Sequence, residues 1–128
     1  MARRAAGTQV RAKEDKAAET RLTLRLDFPD LGRLGPGKVR LLELIVELGS
    51  ISAAGRQMGM SYRRAWQLVD DLNTIFGSVV ATQQGGARGG GAGLTQTGKD
   101  IVRAYRAIEK KAQKAAAAEI ALIGRARR

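Results

Sequence analysis

The sequence predicts a mainly α-helical domain with a small β-wing: a winged helix-turn-helix ending in a long C-terminal dimerisation helix. Three observations carry this. A short and a longer helical segment meet at a glycine-containing turn, and the second opens with basic and amide side chains. Two short β-prone runs then bracket the glycine-rich stretch Gly85 to Gly93. Beyond residue 100 an apolar stripe follows at four-three spacing. At 128 residues the chain has room for one domain with tails, since domains usually run to about 100–150 residues. Hydrophobic residues make up 44% of it but aromatics only 4%, so the core must rest on Leu, Ile, Val and Ala.

Residues 1–20 mix Ala with charge and lack a useful apolar face, which reads as a flexible basic arm. Next, Leu22, Leu24, Leu26 and Phe28 alternate with Arg21, Thr23, Arg25 and Asp27, the pattern of a half-buried strand. Pro29, Gly32, Gly35, Pro36 and Gly37 mark a loop, with Pro36 suited to a first helical turn. From Lys38 to Leu48 the polar positions Arg40, Glu43 and Glu47 recur at helical spacing while apolar residues cover most of the remaining surface, so this helix is central to the core. Gly49 ends it. Ser50 or Ser52 caps a short helix that stops at Gly59, and Ser61 caps a longer one that runs to about Phe76 before Gly77. The longer helix has an apolar set, Ala65, Leu68, Val69, Leu72, Ile75 and Phe76, with Tyr62 and Trp66 at its margin. Trp66 reads as core because its neighbours at helical spacing are apolar. Val79 to Gln83 and Leu94-Thr95 flank the hairpin, whose tip carries Arg88. Thr97, with Asp100 three residues on, suits the cap of the last helix. There Ile101, Tyr105, Ile108, Ala112 and Ala115 form a stripe that Ile120, Leu122 and Ile123 extend after a register shift near Glu119. Such a helix reaches beyond a small domain, which favours pairing with a second copy. The resulting organisation is an arm at 1–20, a winged helix-turn-helix domain at 21–99, a dimerisation helix at 100–124 and a basic tail at 125–128.

Twenty-three Lys and Arg against twelve Asp and Glu give a net charge of +11 and a pI near 11.1, which points to a polyanionic partner. The chain has no Cys and no His, which removes thiol and imidazole catalysis and nearly every zinc site. No cofactor and no metal are expected. Gly85 to Gly93 lacks the Gly-Lys-Ser/Thr ending of a P-loop, and the adjacent Asp70 and Asp71 diverge on a helix; catalysis is not expected. No apolar run approaches the roughly 20 residues of a membrane span, and no secretory h-region is present, so the expected location is cytoplasmic.

Gly49-Ser50-Ile51-Ser52-Ala53-Ala54, then Met60-Ser61-Tyr62-Arg63-Arg64-Ala65-Trp66, then Gly85 to Leu94-Thr95 with Gly98 resemble the DNA-binding domain of the molybdate-responsive ModE regulators over about residues 21–115. The helix-turn-helix core alone is also similar to that of LysR-type regulators. The resemblance implies a dimeric winged helix-turn-helix whose last helix supplies much of the dimer contact, and whose helix from Ser61 enters the major groove. The better-known ModE proteins carry a C-terminal molybdate-binding module for which these 128 residues leave no room. The expectation is therefore action without an effector, or a signal received from a separate effector-sensing protein.

Arg63, Arg64 and Gln67 share an outward face, and Arg pairs naturally with guanine and Gln with adenine in the major groove. They are the candidates for base readout. Ser61 and Tyr62 are candidates for phosphate contacts that fix register. Arg88 suits a minor-groove or backbone contact, and Arg56 and Lys99 suit flanking phosphates. The expected partner is double-stranded DNA, bound by a homodimer as a sequence-specific regulator. The alternative is an architectural, largely sequence-independent DNA-binding protein. Membrane docking through residues 100–123 is disfavoured, because Ala112 and Ala115 to Ala118 make that face shallow.

Overall fold

In a computed structural model, residues 19–83 and 91–128 are described. They fall into two units, one of Leu24–Arg106 and one of the residues up to Thr23 with Ala107–Arg128.

The first unit is built on α1 (Pro36–Leu48), which buries Val39, Leu41, Leu42, Leu44 and Ile45. Pro36 occupies the first turn, where a missing N–H costs nothing, and Gly49 closes the helix in the left-handed conformation at φ 71°. The sequence placed nearly the whole helix surface in the core; Val46 and Leu48, however, are 58% and 43% exposed. α2 (Ile51–Gln57) follows, capped by Ser50, whose hydroxyl accepts from the Ala53 N–H. α3 (Tyr62–Phe76) is capped in the same way by Ser61, which accepts from Arg64 N–H, and it buries Ala65, Leu68, Val69 and Leu72. Gly55 lets α2 and α3 meet closely: a Cβ there would lie 2.7 Å from that of Ala65.

Two antiparallel hairpins flank these helices. β1 (Leu26–Phe28) pairs with β2 (Gly32–Leu34), so the expected strand from residue 21 is shorter and the expected loop contains a second strand. A turn closed by Leu31 N–H on Phe28 O, with Asp30 at φ 65°, joins them. The stretch marked as loop by its glycines and prolines contains a three-residue strand that itself opens on Gly32, too short to show alternation. Phe28 packs edge-on against Phe76 of α3, with ring centroids 5.2 Å apart. β3 (Val80–Gln83) pairs with β4 (Gly91–Leu94) and forms the wing. Asn73 Oδ1 accepts from Val79 N–H at 2.9 Å and Val80 N–H at 3.3 Å, fastening the wing's base to α3. The wing tip, with Arg88, lies outside the described residues.

α4 (Gln96–Ala115) leaves the wing. Its cap is Thr95 and not Thr97: Thr95 Oγ1 accepts from Gly98 N–H at 3.1 Å and donates to Ser78 O at 2.7 Å. Thr95 serves better because its own N–H is already held by Val79 O, at the base of the hairpin. Ile101 and Val102 pack on the core, and Tyr105 is 2% exposed, with its hydroxyl donating to Leu24 O at 2.7 Å. Arg106 clasps Glu43 of α1 through two nitrogens, at 3.1 and 2.7 Å. The division between units falls within α4, after Arg106. The arrangement is a mainly α winged helix-turn-helix.

In the second unit the rest of α4 ends at Ala115. α5 (Ala117–Ala126) starts after Ala116, which has φ −103° and ψ 14°. This break comes about a turn before the register shift near Glu119, and the high helix propensity of Ala does not explain it. Leu22 N–H donates to Gln113 Oε1, and Arg127 pairs with Glu19 at 2.7 Å. Among the described residues no helix is long and apolar enough to cross a membrane.

Candidate nucleic-acid interface

α3 divides its side chains by helical period. With Ala65, Leu68, Val69 and Leu72 turned into the core, Arg63, Arg64 and Gln67 are left exposed on the opposite side. Spacings of one, three and four residues place the three together on the surface of one helical turn. Elsewhere in the first unit, Arg25 meets Asp27, Lys38 meets Asp71, and Arg106 and Arg40 meet Glu43. Among the described residues no ion pair engages Arg56, Arg63 or Arg64. Their charge is therefore available to an incoming anion.

The other predicted residues are placed less uniformly. Ser61 Oγ is occupied as an acceptor by its cap, while its proton stays available to donate. Tyr62 is 64% exposed and packs edge-on against Trp66 at 6.1 Å. Arg56 is exposed on α2. Lys99 lines a different, shallow apolar cleft of about 290 Å³ with Glu43, Val46, Leu94, Val102 and Arg103, so it does not join the α3 cluster. Arg88 cannot be placed, since it lies outside the described residues. Of the predicted dimer stripe, Tyr105 is a core residue of its own unit and Ile101 is half-buried there. Ile108, at 41% exposed, Ala112 and Ala115 belong to the second unit, where Leu122 and Ile123 are also exposed.

Sequence reasoning missed a cleft of about 300 Å³ between α3 and the wing. Ser50 and Ser52 border it beside α2, Tyr62 and Trp66 line it from α3, and Thr82, Gln83 and Ala92 line it from the hairpin. Trp66 is not simply core: it is half-buried, and its Nε1–H is closed off with no hydrogen-bond partner among the described residues. The lone tryptophan at the margin of the apolar face was the one available signal, because the other lining residues come from separate elements.

No protein-family model matches the chain. The chain is similar to the molybdenum-pterin-binding protein MopB of Rhodobacter capsulatus, 46% identical over 78 residues, which is 60% of this chain and 29% of that protein. It is also similar to the molybdenum transport protein ModE of Azotobacter vinelandii, 38% identical over 99 residues, 75% of this chain and 37% of that one. To the DNA-binding transcriptional dual regulator ModE of Escherichia coli K12 it is 34% identical over 102 residues, 77% of this chain and 37% of that one. The chain spans about a third of the length of the curated relatives it matches.

Proposed function

The chain belongs to the ModE family in the stretch it shares with these relatives, and on that premise we propose that it is a DNA-binding transcription regulator and not an enzyme. It binds duplex DNA with α3 in the major groove and the wing on the flanking backbone or minor groove. The observation that carries this reading is the exposed trio Arg63, Arg64 and Gln67, free of ion pairs among the described residues, on a helix whose other face is buried. Arg64 and Gln67 read base edges, Arg63 reads a base or holds a phosphate, and Ser61 and Tyr62 donate to phosphate oxygens. Arg56, Lys99 and Arg88 add cationic contacts outside the recognition helix. The protein binds as a homodimer, the exposed apolar residues Ile108, Leu122 and Ile123 with the small Ala112 and Ala115 forming the contact between copies. Two copies then present two α3 helices to the halves of a palindromic site, as two-fold symmetry requires.

Selection of genomic fragments by the full chain at near-physiological salt tests this. Enrichment of one palindromic site is expected. Arg64→Ala then lowers affinity for that site and relaxes the preference at one position per half-site, since a bidentate base contact is worth about 1–3 kcal/mol of discrimination. Even recovery of all fragments refutes specific readout and leaves an architectural DNA-binding protein.

A further inference from the structure

B-form DNA separates its major and minor grooves by a single sugar-phosphate strand. A protein with one element in each of two adjacent grooves must let that strand pass between the elements. Here α3 and the wing enclose a cleft of about 300 Å³. We infer that this cleft seats one sugar-phosphate of the strand dividing the two grooves, with the Trp66 indole N–H as its buried donor. The inference rests on the DNA-binding reading above and adds to it a contact residue that carries no charge.

The chemistry of the walls suits this occupant. Among the described residues, no carboxylate and no cation lines the cleft. Ser52, Tyr62, Thr82 and Gln83 offer hydroxyl and amide donors, which bond phosphate oxygens whatever the base. Ala92 and the Trp66 ring give an apolar surface of the kind a deoxyribose can lie against. Trp66 Nε1–H is a donor without an acceptor among the described residues, and a buried N–H costs free energy until one arrives. The Trp66 N–H is closed to solvent, so the seat requires a neighbour to move, and the 64% exposed Tyr62 ring, edge-on to Trp66 at 6.1 Å, is the side chain we assign to swing aside and admit the phosphate. Such a seat fixes register and is indifferent to sequence. Because salt dependence follows the number of phosphates neutralised by cations, losing a neutral donor lowers affinity without flattening the salt slope.

Trp66 is the only tryptophan, so its emission reports the cleft directly in the unmodified full chain. The experiment titrates the selected duplex, a scrambled duplex and a series of duplexes each carrying one neutral methylphosphonate. Binding should shift the emission, and one methylphosphonate position per half-site should abolish the shift and weaken binding about tenfold, the loss of one hydrogen bond to a charged acceptor. Trp66→Phe should weaken both the selected and the scrambled duplex about tenfold, keep the salt slope, and lose less than the wild-type chain does at that methylphosphonate. Thr82→Val should give a smaller loss of about twofold to fivefold with the same pattern. If wild-type protein binds DNA but its emission is unmoved by every duplex, the seat is refuted while the DNA-binding reading stands. A Trp66→Phe penalty confined to one base pair, or one that persists on every methylphosphonate duplex, also overturns it. Emission that answers inorganic phosphate but no bound duplex assigns the cleft to a free anion and overturns the strand seat. Failure to bind any duplex refutes the reading beneath. Should Trp66→Phe unfold, the emission series on the wild-type chain decides.

Discussion

Replacing Gly55 by Ala tests how tightly α2 sets the position of the recognition helix. The added methyl would stand 2.7 Å from Ala65 Cβ and 3.4 Å from Met60 Cγ, whereas carbon atoms in contact prefer about 3.5–4.0 Å. The two helices must therefore part by about 1 Å, in a contact where Ala54 and Ala65 are fully buried. Overpacking of this kind costs about 1–3 kcal/mol, while exchanging Gly for Ala inside a helix returns about 1 kcal/mol. The net expectation is a loss of about 0–2 kcal/mol, centred near 1. At about 4–8 °C per kcal/mol for a unit of this size, the melting temperature falls by about 4–8 °C at the centre of that range. Thermal and urea unfolding followed by far-ultraviolet circular dichroism measure it. The double variant Gly55→Ala with Ala65→Gly moves the methyl from one helix to the other, so the propensity changes cancel and stability returns to within about 0.5 kcal/mol of wild type. A single variant more stable than wild type, or a double variant no better than a destabilised single, refutes the argument that this pair sets the helix spacing.

Asn73→Ala removes the acceptor shared by the Val79 and Val80 N–H groups; a loss of about 1–3 kcal/mol is expected, with faster hydrogen exchange at those two amides, and Asn73→Asp should recover part of it. Tyr105→Phe leaves Leu24 O without its hydroxyl donor and should cost about 1–2 kcal/mol in urea unfolding, without changing the oligomeric state. Leu122→Glu with Ile123→Glu places charge on two exposed apolar positions of α5. If these positions pair two copies, sedimentation should show a monomer that keeps its helical content and binds each half-site independently, without the gain that two linked copies draw from the palindrome. An unchanged dimer would move the contact elsewhere. Arg63→Ala and Arg64→Ala should each flatten the salt dependence of DNA binding by at most about 0.9 log units per log unit of salt where the side chain neutralises a phosphate, and an unchanged slope marks the residue as a base reader only.

Much of the helix-turn-helix was legible because its signals are local. Ser50 and Ser61 satisfy amides three residues away, Gly49 and Gly77 end the helices they follow, and the α3 period separates Arg63, Arg64 and Gln67 from Ala65, Leu68, Val69 and Leu72 within a few turns. β2 escaped because its three residues, which open on Gly32, carry too little alternation. Thr95 escaped as a cap because its selection over Thr97 depends on Ser78 and Val79, which the hairpin brings back beside it.

The dimer stripe shows the same boundary between local and distant causes. Spacing identified Tyr105 as apolar-face, but could not say which body it would face; Leu24 O and the core took it. What the sequence by itself determined is the helix-turn-helix pair with its serine caps and glycine ends, and the outward Arg63, Arg64 and Gln67 of α3, since capping, helical period and glycine conformation act within a few residues. Only the tertiary structure decided that Trp66 stands at the wall of a cleft beside Thr82 and Gln83. Those residues come from separate elements, and their meeting depends on how Gly55 sets α2 against α3 and how Asn73 fastens the wing, packing terms that no short stretch of sequence contains.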